Sequence, residues 1–165
     1  MDTPAIDPAL YRRVLGHYAT GIAVVTALSE GDRPVGMAVT SFTSVSLDPM
    51  LVAFCPDKGS STWPKIEQAG RFCVNLLSHD QEAVCRAFAT RGGDKFAGVE
   101  YTVSEHGLPV LEGALASIEC AVHSVVEAGD HWIVLGRVLS LEASAERDPL
   151  LFFRSAYAQL APLAG

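Results

Sequence analysis

The spacing of apolar positions changes along the chain and predicts the order of its structural elements. Near the amino terminus, four apolar side chains recur at intervals of three and four residues, the spacing of one helix face: Tyr11, Val14, Leu15 and Tyr18. Asp7 followed by Pro8 has the form of an N-cap and a first helical residue. We therefore expect a short amphipathic helix at the start of the fold.

From Gly21 onward, β-branched and alternating runs bounded by turn residues predict strands. The predicted strands cover residues 21–28, 34–40, 43–47, 50–55, 71–77, 116–126, 132–141 and 150–153. A short helix is expected from about Trp63 to Gly70, and another between the S-x-x-Q capping box at Ser78 and Thr90. No strand–helix–strand unit repeats, so the pattern indicates a mainly β antiparallel barrel or sandwich with two or three short helices.

Alternation in the run 116–126 predicts which face of that strand is buried. Ile118, Cys120 and Val122 are expected to point inward, and Ser117 and Glu119 are expected to point to solvent.

Composition narrows the function classes. A length of 165 residues fits one domain, at about 150 residues per domain, which we place over 1–165 with a core at about 8–157. The net charge of −7 disfavours nucleic acid and anionic lipid as partners. Without a leader or an apolar run of membrane-spanning length, the chain is expected to be cytoplasmic. Its four cysteines show no metal spacing and are read as reduced core thiols.

Four features could carry chemistry, and each has a structural alternative. Five hydroxyl residues within 40–46 could meet a polar ligand or form a solvated strand face. Residues 58–62 precede a helix, where they could bind a phosphate or cap the helix. Lys95 and Phe96 could contact a ligand; alternatively, Lys95 is a solvated side chain and Phe96 belongs to the core. His131 lies at a tight turn, from which its imidazole could reach a cleft or serve only a structural role.

The sequence contains no phosphate-loop motif for a dinucleotide or a nucleotide.

Six blocks in order along the chain resemble the short-chain flavin reductase family, which includes the reductase components of two-component flavin monooxygenases. The blocks are residues 20–26, 36–49, 72–77, 94–96, 129–131 and 151–154. The resemblance implies a split β-barrel with Greek-key topology, a homodimer, and a flavin groove near the subunit interface. It also implies FMN or FAD and NADH or NADPH as cofactors, with hydride transfer to the flavin and release of reduced flavin to a separate monooxygenase.

The resemblance also assigns site residues. His131 is expected near the nicotinamide as the catalytic positioning residue. The remaining positions expected to contact or border the cofactor are Met37, Ala38, Thr40, Ser41, Ser44, Val45, Ser46, Cys55, Ser60, Ser61, Asn75, Lys95, Phe96, Phe153 and Tyr157. Beyond Arg154 the chain reads Ser155-Ala156-Tyr157, where many relatives have a glycine and a second basic residue. Two alternatives stay open: a non-catalytic flavin carrier on the same barrel, and an oxidase of the pyridoxamine-phosphate type.

Overall fold

The computed structural model describes residues 5–143 and 146–165. It has three short helices: α1 (Pro8–Leu15), α2 (Trp63–Ala69) and α3 (Glu82–Ala89). The strands are β1 (Thr20–Gly21), β2 (Ala23–Ser29), β3 (Arg33–Val39), β4 (Thr43–Leu47), β5 (Met50–Phe54), β6 (Arg71–Leu76), β7 (Tyr101–Val103), β8 (Pro109–Leu111), β9 (Ala116–Ala128), β10 (His131–Ala143), β11 (Leu150–Phe153) and β12 (Ala156–Gln159). The expected mainly β fold with short helices is confirmed.

One sheet of seven strands, in the order β3-β2-β6-β9-β10-β5-β4, forms the frame. Its strand pairs are all antiparallel. A three-stranded sheet, β1-β11-β12, and the β7–β8 hairpin complete the described strands. Because β3 and β4 stand at opposite ends of the strand order, each keeps one edge that is not paired within this sheet.

Two apolar clusters stabilise the frame. The first lies inside the curved sheet, where Phe54 meets Trp63 of α2 and Phe72 of β6 in edge-to-face contacts. The second lies between the sheet and α3, where Phe88 packs against Phe96. Helices α2 and α3 thus close opposite sides of β2 and β3, and hold these strands in place.

Helix α1 begins as predicted, but its apolar face has no cover in the single chain. The Asp7 carboxylate accepts a hydrogen bond from the Ala9 N–H at 2.9 Å, as an N-cap does. No residue of α1 is buried, and Tyr11, Val14 and Leu15 are all at least half exposed.

The start of α3 and the inward face of β9 differ from the prediction. Half of the predicted capping box is present, because the Gln81 amide oxygen accepts a hydrogen bond from the Ser78 N–H at 3.0 Å. The Ser78 hydroxyl faces the Asp80 carboxylate and the Gly113 carbonyl and caps no helix N–H, and α3 begins only at Glu82. Ser117 and Glu119, expected in solvent, are buried at 9% and 6% exposure. The β7–β8 segment, which the sequence did not predict as strands, covers that face of the sheet, and His106 within it pairs with Glu119.

Asn75 ties this covering hairpin to the sheet. Its side chain is fully buried at 0% exposure. The amide nitrogen donates to the Val24 carbonyl at 3.0 Å and to the Thr26 hydroxyl at 3.1 Å, and the amide oxygen accepts from the Leu111 N–H at 2.9 Å. The Thr26 hydroxyl in turn donates to the Pro109 carbonyl. Each polar atom of the Asn75 amide therefore has a protein partner.

We expect Asn75→Ala to lower the free energy of unfolding by about 2–4 kcal/mol, because it leaves the buried Leu111 N–H without an acceptor and removes the donors to the Val24 carbonyl and the Thr26 hydroxyl. Urea denaturation followed by circular dichroism measures the change. Thr102→Ala, at an exposed position of β7, is the control and should change stability by no more than about 0.5 kcal/mol. Equal stabilities of the two variants would contradict this role.

Candidate functional site

The hydroxyl segment 40–46 runs from the end of β3 into β4. The Ser41 hydroxyl oxygen accepts a hydrogen bond from the Cys55 N–H at 2.9 Å, which leaves the Ser41 O–H available as a donor. Ser44 pairs with Val52 and Ser46 with Leu51, so Val45 sits at a bulge between them. The segment is therefore shaped by defined contacts and is not a regular strand face.

Cys55 leads directly into a loop that meets the β9–β10 turn. The backbones of Asp57 and His131 pair in an isolated antiparallel β-bridge, and the Lys58 N–H donates to the Asp130 carbonyl at 2.9 Å. The Ser41 hydroxyl is hydrogen-bonded to the Cys55 N–H, and His131 pairs with Asp57 two residues later. The loop after β5 therefore brings Ser41, Cys55 and His131 near one another, although they come from three separate parts of the sequence.

His131 is held by its neighbours at the turn. Its Nδ1 lies 2.7 Å from Asp130 Oδ1, and this hydrogen bond is the main cause that lowers the pKa of Asp130. The Lys58 ammonium forms an ion pair with Glu127, lowers the pKa of that carboxyl, and lies 5.0 Å from the centre of the Trp132 ring. The imidazole is 43% exposed, so it remains accessible to a ligand.

Ser60 and Ser61 have different roles at the start of α2. The Ser60 hydroxyl accepts hydrogen bonds from the N–H groups of Thr62 and Trp63, at 3.2 and 3.1 Å, and so caps the helix. Ser61 is exposed and lines a cavity of about 430 Å³, which we call the cationic cavity. The sequence left capping and ligand binding open for this pair; the structure shows that Ser60 caps the helix and that Ser61 is exposed at the cavity.

The cationic cavity lies beside the amino-terminal half of β3. Its lining includes Arg33, Lys65, Lys95 and Phe96. The Lys95 ammonium donates to the carbonyls of Phe88 and Gly36, at 3.2 and 3.4 Å. Burial, and then the nearby Lys65 ammonium, lower the pKa of Lys95. A cation held this way is more stable with an anion beside it.

Gly36 is needed where β3 passes under α3. A Cβ added at this position would lie 2.7 Å from a ring carbon of Phe88. The neighbouring Met37 packs against the cluster inside the sheet, and Ala38 against the cluster beneath α3. Their side chains are thus engaged in packing, and a ligand along β3 would meet mainly its backbone.

A second cavity, of about 820 Å³, lies at the other end of β3 and is here called the apolar groove. Thr40 and Ser41 line it with Thr20, Phe152 and Arg154, three residues that the sequence did not single out. The Thr20 hydroxyl oxygen is buried and has no hydrogen-bond partner within residues 5–143 and 146–165. An unpartnered buried hydroxyl in this wall suits a ligand that carries polar atoms.

Three expected site residues have other surroundings. Asn75 is enclosed in the network described above and has no exposed surface for a direct ligand contact. Tyr157 donates a hydrogen bond to the Cys85 sulfur at 3.5 Å, and this bond, followed by burial, raises the pKa of Tyr157 to about 12. Its ring packs against Phe152. Phe153 lies against the His17 ring, 6.5 Å between centres, and is not part of either cavity wall.

The sequence did not identify Phe152 and Arg154 as groove residues, because the side to which each of them points is set by the β11–β12 hairpin. Arg154 and Ser155 form its two-residue turn, with φ of 49° and 62°. Turns of this kind usually contain asparagine or glycine. Ser155, where the sequence departs from the residue expected from the resemblance, thus lies in this turn and lines the groove with Arg154.

The described residues contain no group of three or more His, Cys, Asp or Glu side chains placed to hold a metal ion. In the same part of the chain, no helix is long and apolar enough to span a membrane.

Comparisons with known proteins agree with this arrangement. A family model described as flavin reductase like domain matches residues 15–161. The chain is 53% identical over 159 residues to a flavin reductase of Pseudomonas putida, and this match covers 96% of the present chain and 94% of that protein. It is 48% identical over 158 residues to the reductase subunit HsaB of a flavin-dependent monooxygenase from Rhodococcus jostii, with coverages of 96% and 80%.

A solved structure extends the comparison to cofactors. The NADH:FAD oxidoreductase SgcE6 of Streptomyces globisporus, in complex with NAD and FAD fragments, matches with a TM-score of 0.90 and 37% identity. The match covers 99% of this chain and all of that one, at 100%. It confirms the split-barrel architecture expected from the resemblance.

The division of roles between the two serines predicts a difference in stability. Ser60→Ala should lower the free energy of unfolding by about 1 kcal/mol, because two N–H groups at the start of α2 lose their acceptor. Ser61→Ala, one residue away, is the matched control and should leave stability within about 0.5 kcal/mol of the parent. Thermal or urea unfolding checks both, and a loss in Ser61→Ala equal to that in Ser60→Ala would show that the capping assignment is wrong.

Proposed function

This chain belongs to the flavin reductase like family, and from that premise we propose how its site binds and uses flavin and NADH. The protein is an NAD(P)H-dependent flavin reductase whose reduced flavin serves a separate monooxygenase. Because the relatives are named as reductases and reductase subunits, a non-catalytic flavin carrier is not favoured.

The observation that carries the assignment of the site is the position of β3. This strand ends the order of the seven-stranded sheet, and its two ends reach the apolar groove and the cationic cavity. From Gly36 to Val39, the last residue of β3, the chain advances about 10 Å at the usual rise of a strand, and Thr40 and Ser41 follow directly. We place the flavin along this edge, with its ring at Thr40 and Ser41 and its phosphate near Ser61 and Lys95.

The residues at the ring end fit a flavin because they offer donors and an acceptor that the fold leaves unused. The Ser41 O–H and the Thr20 hydroxyl can each form a further hydrogen bond. Donors of this kind stabilise negative charge on a reduced ring system without themselves titrating. Bound flavin supplies the hydride acceptor, and reduced nicotinamide supplies the hydride.

His131 is then a positioning residue for the nicotinamide. Its hydrogen bond to Asp130 and its backbone bridge to Asp57 fix the turn beside the loop that begins at Cys55, the residue to which Ser41 at the ring end is hydrogen-bonded. Hydride transfer needs the nicotinamide and flavin rings to be aligned, and it needs no proton relay. The main contribution expected from His131 is therefore to orient the nicotinamide.

The direct test of the function is steady-state oxidation of NADH with added FMN or FAD. Flavin-dependent NADH oxidation is expected. The function is wrong if purified protein shows no flavin-dependent rate with either NADH or NADPH.

We expect His131→Ala to raise the KM for NADH about three- to tenfold, the loss expected for one hydrogen bond, with little change in flavin affinity. His131→Asn, which keeps a hydrogen-bonding side chain, should recover part of the loss. His123→Ala removes an exposed histidine from β9 and is the control. If His131→Ala keeps the parent KM and kcat, the assigned role is wrong.

We also propose that the protein works as a homodimer. Exposed apolar side chains also occur on β4 and β10, where Leu47 is 86% and Leu141 61% exposed. A capped amphipathic helix with no buried residue calls for a partner surface. A second copy suits this role because the face includes Tyr11 and Leu15, which also line the apolar groove, so a dimer would complete the site.

The dimer is tested by light scattering coupled to size-exclusion chromatography. The parent should have twice the 17.5 kDa mass of the chain, whereas Val14→Glu with Leu15→Glu should shift it toward the monomer. Glu67→Lys with Gln68→Glu, on the exposed surface of α2, is a control that should stay dimeric. A monomeric parent would refute the proposal.

A further inference from the structure

The cationic cavity contains more positive charge than the resemblance accounts for. Lys95 was expected near the cofactor, whereas Arg33 and Lys65 were assigned no role. The three cations come from three separate elements, the start of β3, helix α2 and the loop after α3. In a chain with net charge −7, their convergence on one cavity is a local feature that the overall composition does not explain.

These three side chains are not neutralised by the protein. Within residues 5–143 and 146–165, none of them has a carboxylate oxygen within ion-pair distance. Arg33 uses only its Nε, in a 3.4 Å hydrogen bond to the Glu30 carbonyl, so its terminal nitrogens stay available. Lys95 bonds only to carbonyls and has one N–H left for a ligand.

The order of residues along β3 gives the cavity a direction. Ser41 marks the ring end of the site, two residues beyond the end of β3 at Val39. Gly36, whose carbonyl accepts from Lys95, lies about 10 Å back along the strand from Val39, and Arg33 lies about 10 Å further. A flavin mononucleotide ends at its single phosphate. A ligand that extends to Arg33 needs a second phosphate and a further group beyond it.

We infer that Arg33 and Lys65 bind the second phosphate of FAD, and that the cationic cavity makes this reductase select FAD over FMN. This inference rests on the proposed function and adds to it the identity of the preferred flavin. The cavity volume of about 430 Å³ is within the range of about 300–1,000 Å³ typical of ligand sites, and so exceeds the needs of one phosphate.

The wall of the cavity also contains two carboxylates, Glu30 and Asp94. Asp94 Oδ1 accepts a hydrogen bond from the Phe96 N–H at 3.1 Å, whereas Glu30, next to Arg33, is exposed. A carboxylate there repels a phosphate but accepts hydrogen bonds from ribose hydroxyls. Phosphate on the cations and ribose near Glu30 is the order in which FAD presents these groups beyond its first phosphate.

A nicotinamide dinucleotide also contains a diphosphate, so the experiment must separate the two sources. The variant Arg33→Gln with Lys65→Gln removes both charges and keeps polar side chains of similar length. Equilibrium dissociation constants for riboflavin, FMN and FAD are measured by flavin fluorescence or calorimetry. The KM for NADH is measured with FMN as the acceptor.

The parent should bind FAD more tightly than FMN. In the double variant the Kd for FAD should rise about tenfold or more, the usual loss for charge-assisted hydrogen bonds, while those for FMN and riboflavin change less than about twofold. Arg71→Gln with Arg147→Gln changes net charge equally outside the cavity lining, and should leave all three constants near the parent values.

Equal losses for FMN and FAD would overturn the inference, because the two residues would then serve the first phosphate. A rise in the KM for NADH with unchanged FAD affinity would also overturn it, and would assign the diphosphate to the nicotinamide nucleotide. No change for any ligand would overturn it as well. Failure of the proposed function has a different result: the parent protein would show no flavin-dependent NADH oxidation.

Discussion

The site depends on β3 lying at the end of the strand order, with one edge that no other strand of the seven-stranded sheet occupies. A ligand can extend along that edge only if the strand is held firmly from its other sides. Strand β2 pairs with it over its whole length, from Arg33 to Val39. On its outer face, the absence of a side chain at Gly36 lets Phe88 approach, and so brings α3 and the following loop into place. That loop carries Lys95, which bonds back to the Gly36 carbonyl.

Local patterns predicted much of this frame, because helix caps and strand alternation are encoded by residues close in sequence. Asp7, the strand runs and the hydroxyl segment are of this kind. What the sequence could not show is which surfaces distant segments cover. Alternation placed Glu119 in solvent, yet the β7–β8 hairpin buries it. Asn75 was expected beside a cofactor, and the same hairpin makes it an internal anchor.

The candidate site was predictable in part for the same reason. Ser61 and Lys95 were identified from residue type and resemblance, and both line one cavity. Arg33 and Thr20 were not identified, because each lies in a run that alone reads as a turn or the start of a strand. Their importance depends on neighbours from other elements, such as Lys65 for Arg33. The hairpin turn at Arg154 likewise decides that Phe152, and not Phe153, faces the groove.

The acidic net charge gives these local cations a clear consequence. At a net charge of −7 the field of the whole chain repels anionic cofactors, so their capture depends on short-range contacts in a partly buried site. Burial makes such contacts stronger, but it also makes an unpaired cation costly, which the lowered pKa of Lys95 reflects. In the proposed site, a flavin phosphate beside Lys95 removes this cost, and release of the flavin restores it. The cost of the unpaired cation then favours uptake of oxidised flavin after each release, which suits an enzyme whose reduced flavin serves a separate monooxygenase.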